Sequence, residues 1–266
     1  MRYVLLCVLL ICMQCQALIT PAEPPLSPWE LQMYPVETNW SDYEEGVPMV
    51  IASLPEDAPA EFVLSGVLAP GDQGSHSSGT AWAVGHAAFS HLVRTKRGQT
   101  DYVCSPAFIF NSLNRERNQA ISILSALQLL EQQGCPHEKH MPYRLDDYVY
   151  KPGRLAQEDA ARYRVNGFGR VDFQDHDQMK AHLLQGSLVI LRMRISENFV
   201  NHKGREWRVP AGKEVGSQTL VVVGYDESRG VYIVQNSVGG TWGEYGRTGV
   251  PFSWFIRLAE KAYVLW

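Results

Sequence analysis

The order in which hydrophobic spacing changes along this chain restricts its fold more than any single motif does. Residues 81–94 form an apolar run of mostly small side chains, and residues 118–133 place Ile121, Leu124, Leu127, Leu129 and Leu130 on one side of a helix that Gly134 ends. Between them, Ser105-Pro106 offers an N-cap followed by proline at the first helical position. Later the spacing becomes that of strands. Residues 188–191, 219–225, 231–234 and 262–265 are short β-rich runs, with a turn signal at 226–230. A short helix near 175–185, ended by Gly186, interrupts this part. Helices first and strands later predict an α+β architecture in two lobes.

With 266 residues, 45% of them hydrophobic and 20% charged, the chain is long enough to bury one large core or two packed halves. Its formal net charge is −4 and it has no basic run, so it lacks a footprint for a phosphate backbone and nucleic acid is not an expected partner. Residues 1–17 read as an export signal: Arg2 supplies the positive start, Val4 to Met13 the apolar run and Ala17 a cleavage site. That run is too short to span a membrane, so the expected location is periplasmic or extracellular with no stable membrane anchor. Lipid attachment at Cys12 is disfavoured by Ile11, which stands where a small residue is preferred. Residues 18–53, rich in Pro and acidic side chains, read as an extended arm, within which Asn39-Trp40-Ser41 fits a glycosylation acceptor. Cys7, Cys12 and Cys15 lie in the signal, leaving Cys104 and Cys135 either to pair or to pack as small hydrophobes.

Three blocks carry chemical information. Asp72-Gln73-Gly74 is followed by Gly79-Thr80-Ala81-Trp82-Ala83-Val84. Far downstream come Gly216-Ser217-Gln218-Thr219-Leu220-Val221-Val222-Val223-Gly224-Tyr225-Asp226 and Gln235-Asn236-Ser237-Val238-Gly239-Gly240-Thr241-Trp242-Gly243-Glu244-Tyr245-Gly246. In this order they resemble the papain-like cysteine peptidases. Ser105-Pro106-Ala107-Phe108, Cys135-Pro136-His137-Glu138 leading to Pro142-Tyr143, and Leu188-Val189-Ile190 extend the likeness, especially to bacterial members. The resemblance covers residues 54–266. It implies a helical lobe at about 73–143, and a barrel-like β-rich lobe of residues 144–266 plus 54–70, with a cleft between them. In that family a cysteine opens a buried helix, whose dipole stabilises the thiolate, and an upstream glutamine donates to the oxyanion.

The resemblance places Ala81 at the cysteine position, Gln218 at the histidine position, Asn236 at the histidine-orienting position and Gln73 at the oxyanion position. Val238 replaces the tryptophan that shields the orienting hydrogen bond, and two extra residues follow Gln73. Alanine has no nucleophile, and a glutamine amide is no general base near neutral pH. The implied reading is a pseudopeptidase, an exported module that binds a protein or peptide and needs no cofactor or metal. Gly79, Thr80, Trp82, Ala120, Ile121, Thr219, Val238 and Trp242 are the expected cleft-lining residues, with Ala120-Ile121 standing where the family has a glycine pair. The alternative reading is a hydrolase in which Ser77, Ser78 or Thr80 replaces the nucleophile and His76 serves as base. A structural component with a vestigial cleft is the third.

Other groups invite blander readings. His86, five residues after Ala81, is expected to turn away from that face of the helix and to pack in the core. Cys135, His137 and His140 have metal-ligand spacing but no fourth ligand. Gly167-Phe168-Gly169 is expected to be a turn beside a strand, and Trp242, Tyr245, Phe252, Trp254 and Phe255 to be packing aromatics.

Overall fold

The computed structural model describes residues 46–266. The export signal, most of the arm and Asn39-Trp40-Ser41 lie outside the described residues. The helical lobe is built on α1, a continuous helix made of Gly79–Ala81, Trp82–Phe89 and Ser90–Lys96. Its middle stretch is bonded i→i+5, with a wider turn than an α-helix. The small side chains of α1 let neighbouring elements approach closely. At Gly85 a Cβ would lie 2.5 Å from Ile109 Cδ1 and 2.8 Å from Cys104 Sγ. Helix α2 (Pro106–Leu113) starts as the sequence predicts, with Ser105 Oγ accepting from Phe108 N at 3.1 Å.

Helix α3 (Ile123–Gln132) begins five residues later than its apolar spacing suggests. Arg115 and Glu116 adopt left-handed φ values of 52° and 61°, and Ser122 caps the helix by accepting from Ser125 N. Cys104 and Cys135, left open by the sequence, form a disulfide with Cα atoms 5.7 Å apart. Residues 144–165 stay with the helices. Asn111 and Asn114 donate to the carbonyls of Tyr150 and Tyr148, and a Cβ on Gly134 would meet Ala160 O of α4 (Arg154–Ala160) at 2.0 Å.

The second lobe is an antiparallel sheet, with α5 (His176–Leu184), whose N-cap is Asp175, inserted between its second and third strands. Its strands are β1 (Glu61–Val63), β2 (Phe168–Arg170), β3 (Val189–Ser196), β4 (Glu214–Asp226), β5 (Val231–Gln235), β6 (Arg247–Pro251) and β7 (Ala259–Leu265). They run in the order β2-β7-β3-β4-β5-β6, and β1 pairs with β4. β3 and β4 extend beyond their apolar runs because Arg192 to Ser196 pair with residues 214–219. Of Gly167-Phe168-Gly169, expected to be a turn beside a strand, Phe168 and Gly169 instead belong to the edge strand β2 on β7. The end of the arm closes that edge: Val50 N donates to Arg170 O at 2.9 Å, and Arg170 N to Pro48 O at 2.8 Å. Helix α6 (Phe252–Leu258) packs Phe252 and Phe255 against Tyr232, with ring centroids 4.7 and 4.5 Å apart.

Candidate functional site

Helix α1 and strand β4 meet where Thr80 Oγ1 lies 2.9 Å from Thr219 Oγ1. This bond lies between the neighbours of Ala81 and Gln218, so it brings together positions the sequence holds far apart. Ala81 is fully buried beside it. Gln218, on β4, donates Nε2 to Asn236 Oδ1 at 2.9 Å and lies 3.3 Å from Gln73 Oε1. Gly79 makes room for the pair. A Cβ there would meet Gln73 Oε1 at 3.0 Å and Gln218 Nε2 at 3.1 Å. The four residues singled out by the motif blocks, Gln73, Ala81, Gln218 and Asn236, thus converge on one buried seam between the lobes.

Gln73 is held from both ends of its amide. Nε2 donates to His76 O at 2.8 Å, while Oε1 accepts from Ser237 Oγ at 2.7 Å. A donor committed to a carbonyl in its own loop is not directed at a reacting group. The residues between Gln73 and Gly79 supply that carbonyl. Asn118 fixes this loop, accepting from Ser77 N at 2.7 Å and donating to Ser75 O at 2.9 Å. Ser237 and Asn118 were not among the expected site residues. Ser237 directly follows Asn236 in its block, whereas nothing local marks Asn118.

The hydroxyl candidates are all enclosed. Ser77, Ser78 and Thr80 are buried, with Ser78 at 0% exposure. Tyr143 Oη lies 2.6 Å from Ser78 Oγ and 3.1 Å from His76 Nδ1, and it donates to Gln73 O at 2.9 Å. Burial pushes the Tyr143 phenol up to about 12, so it remains protonated. Burial also lowers the pKa of His76, whose ring packs among Phe110, Tyr143 and Tyr148. Because the single Tyr143 proton is given to Gln73 O, the His76–Tyr143–Ser78 contact is not a relay from serine to imidazole, and the serine has no solvent-facing surface.

His86 lines a cavity of about 10 Å³ together with Trp82, Thr219 and Asn236, whose Nδ2 is buried without a partner among the described residues. The expected turn away from the site rests on α-helical geometry. The i→i+5 stretch reduces that rotation, and the Trp82 ring lies tilted against His86 with centroids 4.8 Å apart. Burial lowers His86 to about 4.

The sequence pattern of the papain family cysteine proteases matches residues 71–250, more than half of the chain. This chain belongs to the papain family. An uncharacterised peptidase C1-like protein of Acanthamoeba polyphaga mimivirus is 25% identical over 216 residues, covering 73% of this chain and 68% of the relative. Xylellain, a cysteine protease from Xylella fastidiosa, superposes with a TM-score of 0.73 at 21% identity, covering 88% of this chain and 94% of that one. Digestive procathepsin L2 from Tenebrio molitor larval midgut gives a TM-score of 0.71 at 18% identity, covering 90% and 80%. Likenesses to structures at these identities show the papain-like α+β fold.

The remaining candidates on this papain-family framework divide between cleft and core. Val238 is half-buried and bridges to Asp72, and Trp82 packs on Tyr143 with centroids 4.9 Å apart. Trp242 is not a cleft wall. It is buried on Phe199 and donates Nε1 to Phe199 O at 2.7 Å. Ile121 is a core residue at 5% exposure, so of the pair expected to crowd the groove only the half-buried Ala120 keeps appreciable exposure. The spacing of Cys135, His137 and His140 does not make a ligand set, because the Cys135 sulfur is bonded to Cys104 and His137 Nε2 lies 3.1 Å from Asp101 O.

Proposed function

We propose that this papain-family chain is an exported, non-catalytic member whose cleft region binds a protein or peptide. The observation that carries this reading is the Gln218–Asn236 hydrogen bond beside Ala81. An amide occupies the place of the imidazole and bonds to the orienting asparagine, while alanine offers no thiol. Neither group can activate or form an acyl intermediate. Burial of Ser77, Ser78 and Thr80 argues against a replacement hydroxyl. Export is supported by the Cys104–Cys135 disulfide, since such pairs persist in oxidising compartments.

The experiment incubates the purified mature protein with a broad peptide library across acidic to neutral pH, and in parallel with an epoxide that alkylates papain-type thiols. The expected result is cleavage no faster than buffer and no covalent label. Turnover abolished by Ser78→Ala, Thr80→Ala or His76→Ala would establish the hydrolase reading instead. Partner isolation with the mature protein as bait, repeated with Val238→Glu, tests the binding half. Loss of the partner in the variant is expected, and retention would place binding on another face.

A further inference from the structure

One rung of the β-rich lobe runs Val63, Gly224, Ile233, Gly249 across β1, β4, β5 and β6, so these positions share a face of the sheet. Gly249 adds no side chain to the lining of that face, and Gly224 lets β1 lie close against β4. Gly224 is required by the approach of β1, since a Cβ would lie 2.3 Å from Phe62 O. At Gly249 a Cβ would meet Val231 Cγ2 at 3.1 Å and Arg229 Nη2 at 3.3 Å. The resulting hollow measures about 410 Å³, in the range of small-molecule sites, and shares no side chain with the Gln73–Gln218–Asn236 cluster.

Four charged side chains line this apolar floor, Arg205 and Arg247 with Glu61 and Glu244. Among the described residues none of the four has an ion-pair partner. The other arginine of the hollow, Arg229, differs in this respect, being paired with Glu206 at 2.6 Å.

Arg247 is the best prepared of the four. Gln235, 3% exposed, donates Nε2 to Leu68 O at 3.1 Å, which fixes its amide so that Oε1 accepts from Arg247 Nε at 2.9 Å. The guanidinium is thereby oriented with both terminal nitrogens left over, the arrangement that takes a carboxylate by two parallel bonds. Burial depresses the ionisation of Arg247, and no carboxylate lies near enough to offset the cost.

We propose that this hollow is a second binding site, for a small zwitterion with an apolar side chain: a free amino acid or a dipeptide. Arg247, assisted by Arg205, takes the ligand's carboxylate. Glu61 and Glu244 take its ammonium group, and Val63 and Ile233 receive the side chain. Tyr245, 83% exposed at the rim with a left-handed φ of 55°, closes over the bound molecule.

The test is calorimetric titration of the mature protein with L-leucine, glycyl-L-leucine, its C-terminal amide and its N-acetyl form. Saturable binding of leucine or the free dipeptide is expected. Amidation and Arg247→Gln should each weaken it by at least about tenfold, through loss of the two-bond carboxylate contact. Acetylation should weaken it as well. Because Arg247 is half-buried, circular dichroism checks the fold of that variant, and Arg205→Gln, at an exposed position, provides a second test expected to weaken binding severalfold. No saturable binding of either free probe at about 10 mM overturns the proposal, since that corresponds to less than about 3 kcal/mol. So does equal affinity for the amide, or binding unchanged in both arginine variants. None of these outcomes depends on whether the chain is catalytic.

Discussion

Gln218 Nε2 donates to Asn236 Oδ1 at 2.9 Å, while Asn236 Oδ1 also accepts from Ser237 N at 2.8 Å. The asparagine is thus held in place by its own neighbour as well as by the glutamine. An imidazole introduced at position 218 would find the same oxygen to donate to, which makes chemical reversion a meaningful experiment.

In the double variant Ala81→Cys with Gln218→His, we expect a thiol that is alkylated faster than a free cysteine below pH 8, since it gains a helix N-terminus and an imidazole. Peptide turnover should remain low. Gln73 Nε2 is committed to His76 O at 2.8 Å, and loss of one oxyanion donor costs about 10²–10³ in kcat. Alkylation rate against pH, read beside cleavage of a peptide library, checks both halves. Turnover comparable to an active family member would show that Gln73 releases His76 when substrate binds.

The two glutamines should differ in what they contribute to stability. Gln218→Leu removes a donor, yet Asn236 Oδ1 and Gln73 Oε1 each keep a bond from Ser237, so the expected loss is only about 1 kcal/mol. Gln73→Leu deprives His76 O and Ser237 Oγ of their partner inside a buried seam, and the expected loss rises to about 2–4 kcal/mol. Urea unfolding of both variants gives the comparison. Equal losses would mean that the Gln73 amide is not held from both ends.

The sequence makes legible those parts of the molecule where one local pattern suffices. β3 and β4 are marked by Val189 to Leu191 and Leu220 to Val223, and Ala81, Gln218 and Asn236 by the blocks around them. What stays hidden depends on partners distant in sequence. β6, Arg247–Pro251, has little apolar spacing and becomes a strand because β5 supplies its hydrogen bonds. The start of α3 moves because Asn118 is used on a loop 41 residues away. Ile121 reads as a groove residue by alignment and proves to be core, since Ser122 and not Asn118 begins the helix. The role of Tyr143 needs three groups, Gln73, His76 and Ser78, that only the fold assembles.

The Cys104–Cys135 bridge, with a sequence separation of 31, ties the residue before the N-cap of α2 to the segment just past the end of α3. Cys104→Ala with Cys135→Ala, or full reduction, should lower unfolding free energy by about 2–4 kcal/mol, chiefly by freeing the unfolded chain. Intact mass after alkylation without reductant should show neither of these two cysteines modified. Labelling of both in the folded protein would show that the pair is open.

Acid should weaken the fold before its carboxylates are protonated, because several buried histidines resist protonation. Burial lowers His86 from 6.5 to about 4, and lowers His76, His91 and His182 as well. For a base, a depressed folded-state pKa means that the unfolded chain binds the proton first. Stability is therefore complete above about pH 6.5 and declines as pH falls toward the folded-state values. His86 alone should account for roughly 2–4 kcal/mol between neutral pH and pH 4. Urea midpoints measured at half-unit steps from pH 7.5 to 4.5 should fall steadily. In His86→Phe, which retains a ring against Trp82, the decline should be visibly shallower. A variant with the same slope as the parent would mean that His86 reaches solvent and takes up its proton in the folded state.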